Sequence, residues 1–353
     1  INNAAYMQKT EAFDHTAVGI DLAVNPREAC ARDIYNFLQL PGARDVTDLL
    51  EGGVLAVRLR LPADSPLLKT TLQDFPRPEL LTVIRIIGVS RNDKLIIPHG
   101  DTEFKPGDDV YLVGRMSDVK GFINWALPLK PPIQKVVIAG GAGLDLYLAS
   151  RLEKKKLKVV LLEADPARAE YCAQQLVKTE VLNSDPLSRE ALSEAELAEN
   201  SAFVAATGND ENNIISGLLA GKYGASLTVA QVSQPEYVPI INDLTLLDRA
   251  VSTHLSTIDA ILHFVRGKDV KAVSSMRKLP GELLEVNLSA KSKWLSKQIK
   301  NLQLPEGVII ASVMRKGKFL PPTGNVTLAE GDRLIIFASR GSEASLKRIC
   351  NRQ

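Results

Sequence analysis

The residues with the clearest chemical capacity are Gly140-Gly141-Ala142-Gly143-Leu144-Asp145. This glycine-rich run lies between the β-branched stretch Lys135-Val136-Val137-Ile138-Ala139 and a helical pattern that reaches about Leu152. A strand-to-helix turn of this kind holds the phosphates of a dinucleotide: one glycine makes the turn, a second lets backbone approach the pyrophosphate, and a third lets helix and strand pack closely. The helix start adds unpaired amide donors and the positive end of the helix dipole. Aligned on its strand, the loop places Gly140, Ala142 and Asp145 at the three glycine positions; shifted by one residue, it places Gly141, Gly143 and Leu146 there. Neither frame is complete. Asp145 also brings a negative charge to the first helical turn, and two like charges about 4 Å apart repel by roughly 4 kcal/mol at an effective dielectric of 20. That repulsion abolishes micromolar binding of a phosphate unless the carboxylate turns away.

Further groups complete an adenosine-type site. Glu163 follows the stretch Lys158-Val159-Val160-Leu161-Leu162, about 20 residues beyond the loop, where an acidic side chain accepts both ribose hydroxyls and rejects a 2′-phosphate. Asp185, in Asn183-Ser184-Asp185, is placed to reach the adenine edge. Thr207-Gly208-Asn209-Asp210 follows a later strand, at the carboxyl edge where such folds bind ligands. Each of these is equally a polar residue that closes a strand or caps the next helix, and Asp210 in particular is a preferred N-cap type. The loop itself has the alternative of a ligand-free turn. The histidines His15, His99, His254 and His263 show no metal spacing, and Cys30, Cys172 and Cys350 read as reduced thiols packed on helices. Glu153-Lys154-Lys155-Lys156 ends a helix, where its lysines complement the dipole.

The elements that must position these groups alternate short β-branched runs with helical ones from 135 to 266, the pattern of a doubly wound parallel sheet. Strands are expected at 135–139, 158–162, 179–182, 202–206, 226–230 and about 248–251. A helix follows with Leu255, Ile258, Leu262 and Val265 on one face. Two other regions repeat each other at an offset of about 227 residues: Val57, Leu59, Leu61, Ser65 and Leu68 match Leu284, Val286, Leu288, Ser292 and Leu295. About three residues out of step, Pro98, Gly100, Gly107 and Asp108 match Pro322, Gly324, Gly331 and Asp332. A period this long marks duplicated domains, since solenoid repeats run at roughly 20–50 residues.

The same offset sets Ala23-Val24 and Ile34 against Ala250-Val251 and Ile261, and puts the counterpart of strand 135–139 ahead of Ile1. The expected organisation is therefore the end of a first dinucleotide-type half over 1–45, an α+β module over 46–128, and a proline-stiffened linker over 129–134. A dinucleotide-type domain over 135–267 and a second α+β module over 268–353 follow. The opening Ile1 fits a fragment whose first half is cut short. The helix bearing Ile258 and its counterpart bearing Ile34 and Phe37 are expected to carry more apolar surface than one domain needs, covered by a partner domain within the chain or between chains.

Composition narrows the function. At 353 residues the chain has length for two to three domains, and 43 lysines and arginines against 41 acidic residues argue against a dedicated nucleic-acid binder. No uninterrupted apolar run approaches the roughly 18–20 residues of a membrane span, and Arg85 breaks the best candidate.

Thr207-Gly208-Asn209-Asp210-Glu211-Asn212 and Gln234-Pro235-Glu236-Tyr237, joined to a module with Leu304-Pro305-Glu306-Gly307-Val308-Ile309-Ile310 and Gly331-Asp332, resemble the tandem RCK (KTN) family over nearly the whole chain. The resemblance implies an α/β chain with a doubly wound, Rossmann-like RCK N-domain and two small α+β RCK C-domains. It also implies NAD(H) or ATP/ADP as a regulatory ligand, and a homo-oligomer, dimer or tetramer ring. The assembly would dock on the cytoplasmic face of the membrane beneath a potassium transporter subunit of the TrkH/TrkG type. Carried over residue by residue, Gly140 and Gly141 fall at the loop, Glu163 at the ribose, Asp185 near adenine, and Thr207 and Gly208 beside the phosphates or base. Ala142 and Asp145 stand where the family has glycines, and Gly143 where it often has a phosphate-binding arginine. The expected function is a non-enzymatic cytosolic regulator. The alternatives are an NAD-dependent oxidoreductase, for which no histidine or lysine motif supplies a proton-transfer group, and a structural ring component whose second nucleotide site is dead.

Overall fold

The computed structural model describes residues 21, 23–50, 53–127, 131–141, 143–265, 270–274, 276 and 279–342, with backbone alone for 262–265 and 270–274. Along the chain come α1 (Pro26–Gln39), β1 (Ala43–Leu49), β2 (Val54–Arg60), α2 (Pro78–Leu81), β3 (Ile84–Arg91), β4 (Lys94–Ile96), β5 (Asp109–Gly114) and α3 (Met116–Ala126). Next are β6 (Lys135–Ala139), α4 (Leu144–Leu152), β7 (Lys158–Leu162), α5 (Pro166–Gln175), β8 (Glu180–Leu182), α6 (Arg189–Glu194), β9 (Ser201–Ala205), α7 (Asp210–Lys222), β10 (Leu227–Val232), α8 (Tyr237–Asp243), β11 (Arg249–Ser252) and α9 (Thr253–Val265). The chain continues through β12 (Val270–Ser274), β13 (Gly281–Asn287), β14 (Val308–Arg315), β15 (Lys318–Leu320) and β16 (Arg333–Ser339). Two compact units result, one from 1–41 with 129–261 and the other from 42–128 with 262–353.

In the first unit, six parallel strands lie in the order β11-β10-β9-β6-β7-β8, the doubly wound arrangement expected from the sequence. The central strands β6, β9 and β10 are buried at every position, as strands covered by helices on both faces must be. Short polar residues start the helices: Asp165 caps α5 ahead of Pro166, Ser188 caps α6 and Asn209 caps α7. Asn25 caps α1 in the same way, accepting the amides of Arg27 (3.0 Å) and Glu28 (3.4 Å).

The helix α1 packs on α4 and against β11. Ile34 and Phe37 are thereby buried within this chain, one of the two arrangements expected for this apolar face. Their counterpart helix α9 does expose Ile258 and Ile261, both more than 40 % accessible. The side chains of Leu262 and Val265 lie outside the described residues.

The second unit holds two antiparallel sheets of identical strand order, β1-β2-β5-β3-β4 and β12-β13-β16-β14-β15. One core joins them, with Ala56, Ile87, Tyr111 and Val113 of the first packed in the same cluster as Leu283, Ala311, Ile335 and Phe337 of the second. The three-residue slip in the repeat has a structural cause. Between Leu72 and Ile84 the first module inserts the short helix α2, whereas Ile299 leads to Val308 through a single 3₁₀ turn. Equivalent hairpins turn on Asn92-Asp93 and Lys316-Gly317, all four with positive φ, the conformation that matches strand twist in a two-residue hairpin. Among the described residues no helix is long and apolar enough to cross a membrane.

Candidate nucleotide-binding site

The sheet order reverses between β6 and β9, and the glycine-rich loop sits at the carboxyl end of β6, at this switch point. Gly140 adopts φ +118°, and a Cβ there would stand 2.6 Å from Asp145 Oδ2 and 2.8 Å from the Ala206 carbonyl oxygen. A side chain at 140 is therefore excluded both by conformation and by space. The close approach brings the loop against the end of β9 and so beside Thr207. Ala142 lies outside the described residues.

The direction taken by Asp145 decides the character of the loop. The side chain is only 1 % exposed, and its Oδ1 accepts the backbone amides of Gly143 and, at 2.9 Å, Leu146. These are donors that a phosphate would use at a helix start. The carboxylate has not turned away: it takes up the amides that a phosphate at this helix start would need. Glu163 also leans onto the loop. Its Oε1 accepts the Asp165 amide at 2.8 Å, and its Oε2 lies 2.7 Å from where a Cβ on Gly141 would be. Cys172 Sγ closes the far side by donating to the Gly141 carbonyl at 3.3 Å. Burial, and then the Asp145 and Glu163 carboxylates, push the Cys172 thiol above its ordinary pKa, so it stays protonated.

The other expected residues are placed around the same edge but are individually engaged. Asp185 is exposed beyond β8 and accepts the Leu187 amide at 2.9 Å, while Asn183 Nδ2 ties the β7 end by donating to the Glu163 carbonyl at 2.9 Å. Thr207 donates through Oγ1 (2.7 Å) and its amide (2.8 Å) to Asn213 Oδ1, and Asn213 Nδ2 donates onward to the Gln231 carbonyl at 2.8 Å. Around Gly208 nothing lies within 4 Å of a would-be Cβ, so this position opens to space. Asp210 does not cap α7; Asn209 does, and the buried Asp210 carboxylate instead accepts the amides of Ser233 and Gln234 beyond β10. The sequence reading missed Asn213 and Asp210 as braces between strand ends, and it missed Arg27, which reaches the loop from α1. Polar residues at the second and fifth positions after Gly208 were the only available signal for the first two. Among the described residues no group of three or more His, Cys, Asp or Glu could hold a metal ion.

Comparison with known families places these elements. The TrkA-N domain matches residues 136–253, which span the parallel sheet, and the TrkA-C domain matches twice, at 56–126 and 283–351, on the two antiparallel modules. The chain belongs to the TrkA family. It is 28 % identical over 335 residues to the Trk system potassium uptake protein TrkA homolog 2 of Methanosarcina mazei, covering 94 % of this chain and 73 % of that protein. It is 29 % identical over 344 residues to the Trk system potassium uptake protein TrkA of Haemophilus influenzae, covering 96 % and 74 %. A solved GsuK RCK domain resembles this TrkA-family chain with a TM-score of 0.47 and 17 % identity over 96 % of the chain and 72 % of that structure.

Proposed function

We propose that this TrkA-family chain is a non-enzymatic regulatory subunit of a potassium uptake system, which binds NAD(H) or ATP/ADP and gates a membrane potassium transporter subunit. The observation that carries the reading is the match, along nearly the whole chain, to relatives named Trk system potassium uptake proteins. In this reading 135–267 is the RCK N-domain, 46–128 and 268–353 are RCK C-domains, and 1–45 closes a first nucleotide-binding half. The glycine-rich loop at the switch point and Glu163 at the end of β7 support a nucleotide ligand.

Regulation of this kind needs no bond chemistry. A ligand that favours one of two arrangements shifts their populations by its differential affinity, typically about 1–3 kcal/mol. The ionisable groups at the loop fit such a role, since Asp145 and Glu163 are engaged by backbone amides and Cys172 is held protonated. Apolar side chains exposed on α7 to α9, among them Ile215, Leu218, Ile240, Leu244, Ile258 and Ile261, support assembly into a homo-oligomeric ring on the inner face of the membrane.

Isothermal titration with ATP, ADP, NAD and NADH, paired with transporter-dependent rubidium influx, tests the proposal. At least one nucleotide should bind and change the influx, and NADH should not be consumed with hydroxy acids or aldehydes. NADH oxidation proportional to protein concentration would instead favour an oxidoreductase.

A further inference from the structure

We infer that Arg27, delivered by α1 from 116 residues before Gly143, is a phosphate-binding residue of the glycine-rich loop, and that the Asp145 carboxylate is its intramolecular competitor for the ligand's diphosphate. The inference rests on the nucleotide reading above and adds the residues that set affinity.

Gly143 supplies the first observation. A Cβ at 143 would lie 2.7 Å from Arg27 Cζ, 2.9 Å from Nε and 3.0 Å from Nη1, so the missing side chain is what lets the guanidinium rest on the loop backbone. The placement comes from the packing of α1 on α4, with Arg27 in the first turn of the one and Gly143 at the start of the other.

The second observation is that the guanidinium is available. Arg27 is exposed; its backbone amide bonds the Asn25 cap, and among the described residues no hydrogen bond engages its guanidinium. A planar fork of N–H donors beside loop amides matches the oxygens of a phosphate. The third is the occupant of those amides. Asp145 binds the Gly143 and Leu146 N–H groups, and it and Glu163 are the carboxylates that face the loop, with Glu28 the acidic neighbour on α1 itself. A diphosphate that displaces the Asp145 carboxylate gains both the amides and Arg27. While Asp145 stays in place, it weakens binding by occupation and by charge.

The test is titration of the full chain with ADP and with adenosine, which lacks phosphate. Arg27→Gln should weaken ADP at least tenfold and leave adenosine and the melting temperature unchanged, while Arg27→Lys keeps part of the affinity. Asp145→Asn retains an acceptor for the two amides without the charge; it should strengthen ADP at least tenfold, and most of that gain should vanish in the double variant with Arg27→Gln. Equal ADP affinity in the wild type and Arg27→Gln overturns the role of Arg27 while leaving the nucleotide reading intact. An equal loss for ADP and adenosine also overturns it, since Arg27 would then act on the shape of the site and not on phosphate. Failure of the wild type and every variant to bind either ligand sinks the nucleotide reading and this inference with it.

Discussion

In the first antiparallel module Arg91 clamps Asp108, with Nε to Oδ1 and Nη2 to Oδ2 both at 2.8 Å; in the second, Arg315 clamps Asp332 in the same way at 2.7 and 2.8 Å. Each arginine also donates to a backbone carbonyl, that of Glu103 or Thr327, and each aspartate accepts a backbone amide, that of Lys105 or Ala329. A neighbouring pair behaves differently. Arg58 on β2 pairs with Asp109 on β5 at 3.4 Å, whereas at the equivalent positions Glu285 on β13 pairs with Arg333 on β16 at 2.7 Å, with the charges exchanged. The exchange continues in the register, where Asp45 lies opposite Arg58 and Lys271 opposite Glu285. The contrast has a physical cause. In the clamp, the acid also serves a backbone donor and the base a backbone acceptor, so polarity is locked; in the cross-strand pair, both bonding groups are side chains and only the product of the charges matters.

The largest way to break this comparison is to remove the clamp acid. Asp108 and Asp332 are buried, so Asp108→Ala and Asp332→Ala should each cost about 3 kcal/mol, the scale for stripping one partner from a buried pair. Denaturant titration should give similar losses for both; a loss at one and none at the other would show that the clamps are not equivalent.

Charge reversal sharpens the point. Arg58→Glu alone should destabilise by about 2 kcal/mol, because it sets like charges side by side in a mostly buried pair. Adding Asp109→Arg should restore at least half of that loss. The same double reversal at Arg91 and Asp108 should restore little, since it leaves the Lys105 amide and the Glu103 carbonyl facing groups of their own kind. If the clamp tolerates reversal equally well, the locking by backbone groups is wrong.

Acid provides the smallest effect. Burial of the Asp332 carboxyl raises its pKa, but the Arg315 hydrogen bonds and the Ala329 amide outweigh that and hold it below 3.8. A carboxylate with a lower pKa folded than unfolded contributes its full stability above the unfolded value and loses it as pH falls through the folded one. Stability should therefore fall on acidification below about pH 4, and less steeply in Asp332→Asn, as thermal melts between neutral and acidic pH would read. An identical slope in the variant would place the acid sensitivity elsewhere.

Much of the fold was legible in the sequence. The six parallel strands fall within about two residues of their expected positions because fully buried strands flanked by capping residues leave a local signal, as at Lys158–Leu162 followed by Asp165-Pro166. The duplication was legible through its glycines and aspartates: Gly107 and Gly331 keep left-handed φ values of +81° and +79° that other residues adopt at a cost. Amphipathic spacing showed that Ile34 and Phe37 need cover but not which element supplies it, and here α4 and β11 do.

The sequence by itself determined that a glycine-rich turn follows β6, that an acid ends β7 and that two modules share one pattern, since turn conformation and strand burial constrain residue type at each position. Only the tertiary structure decided what that turn contains. Whether Asp145 points at the loop or away is a choice of side-chain torsion fixed by the donors it finds at Gly143 and Leu146. Arg27 meets Gly143 because helix packing brings together residues that no local spacing relates.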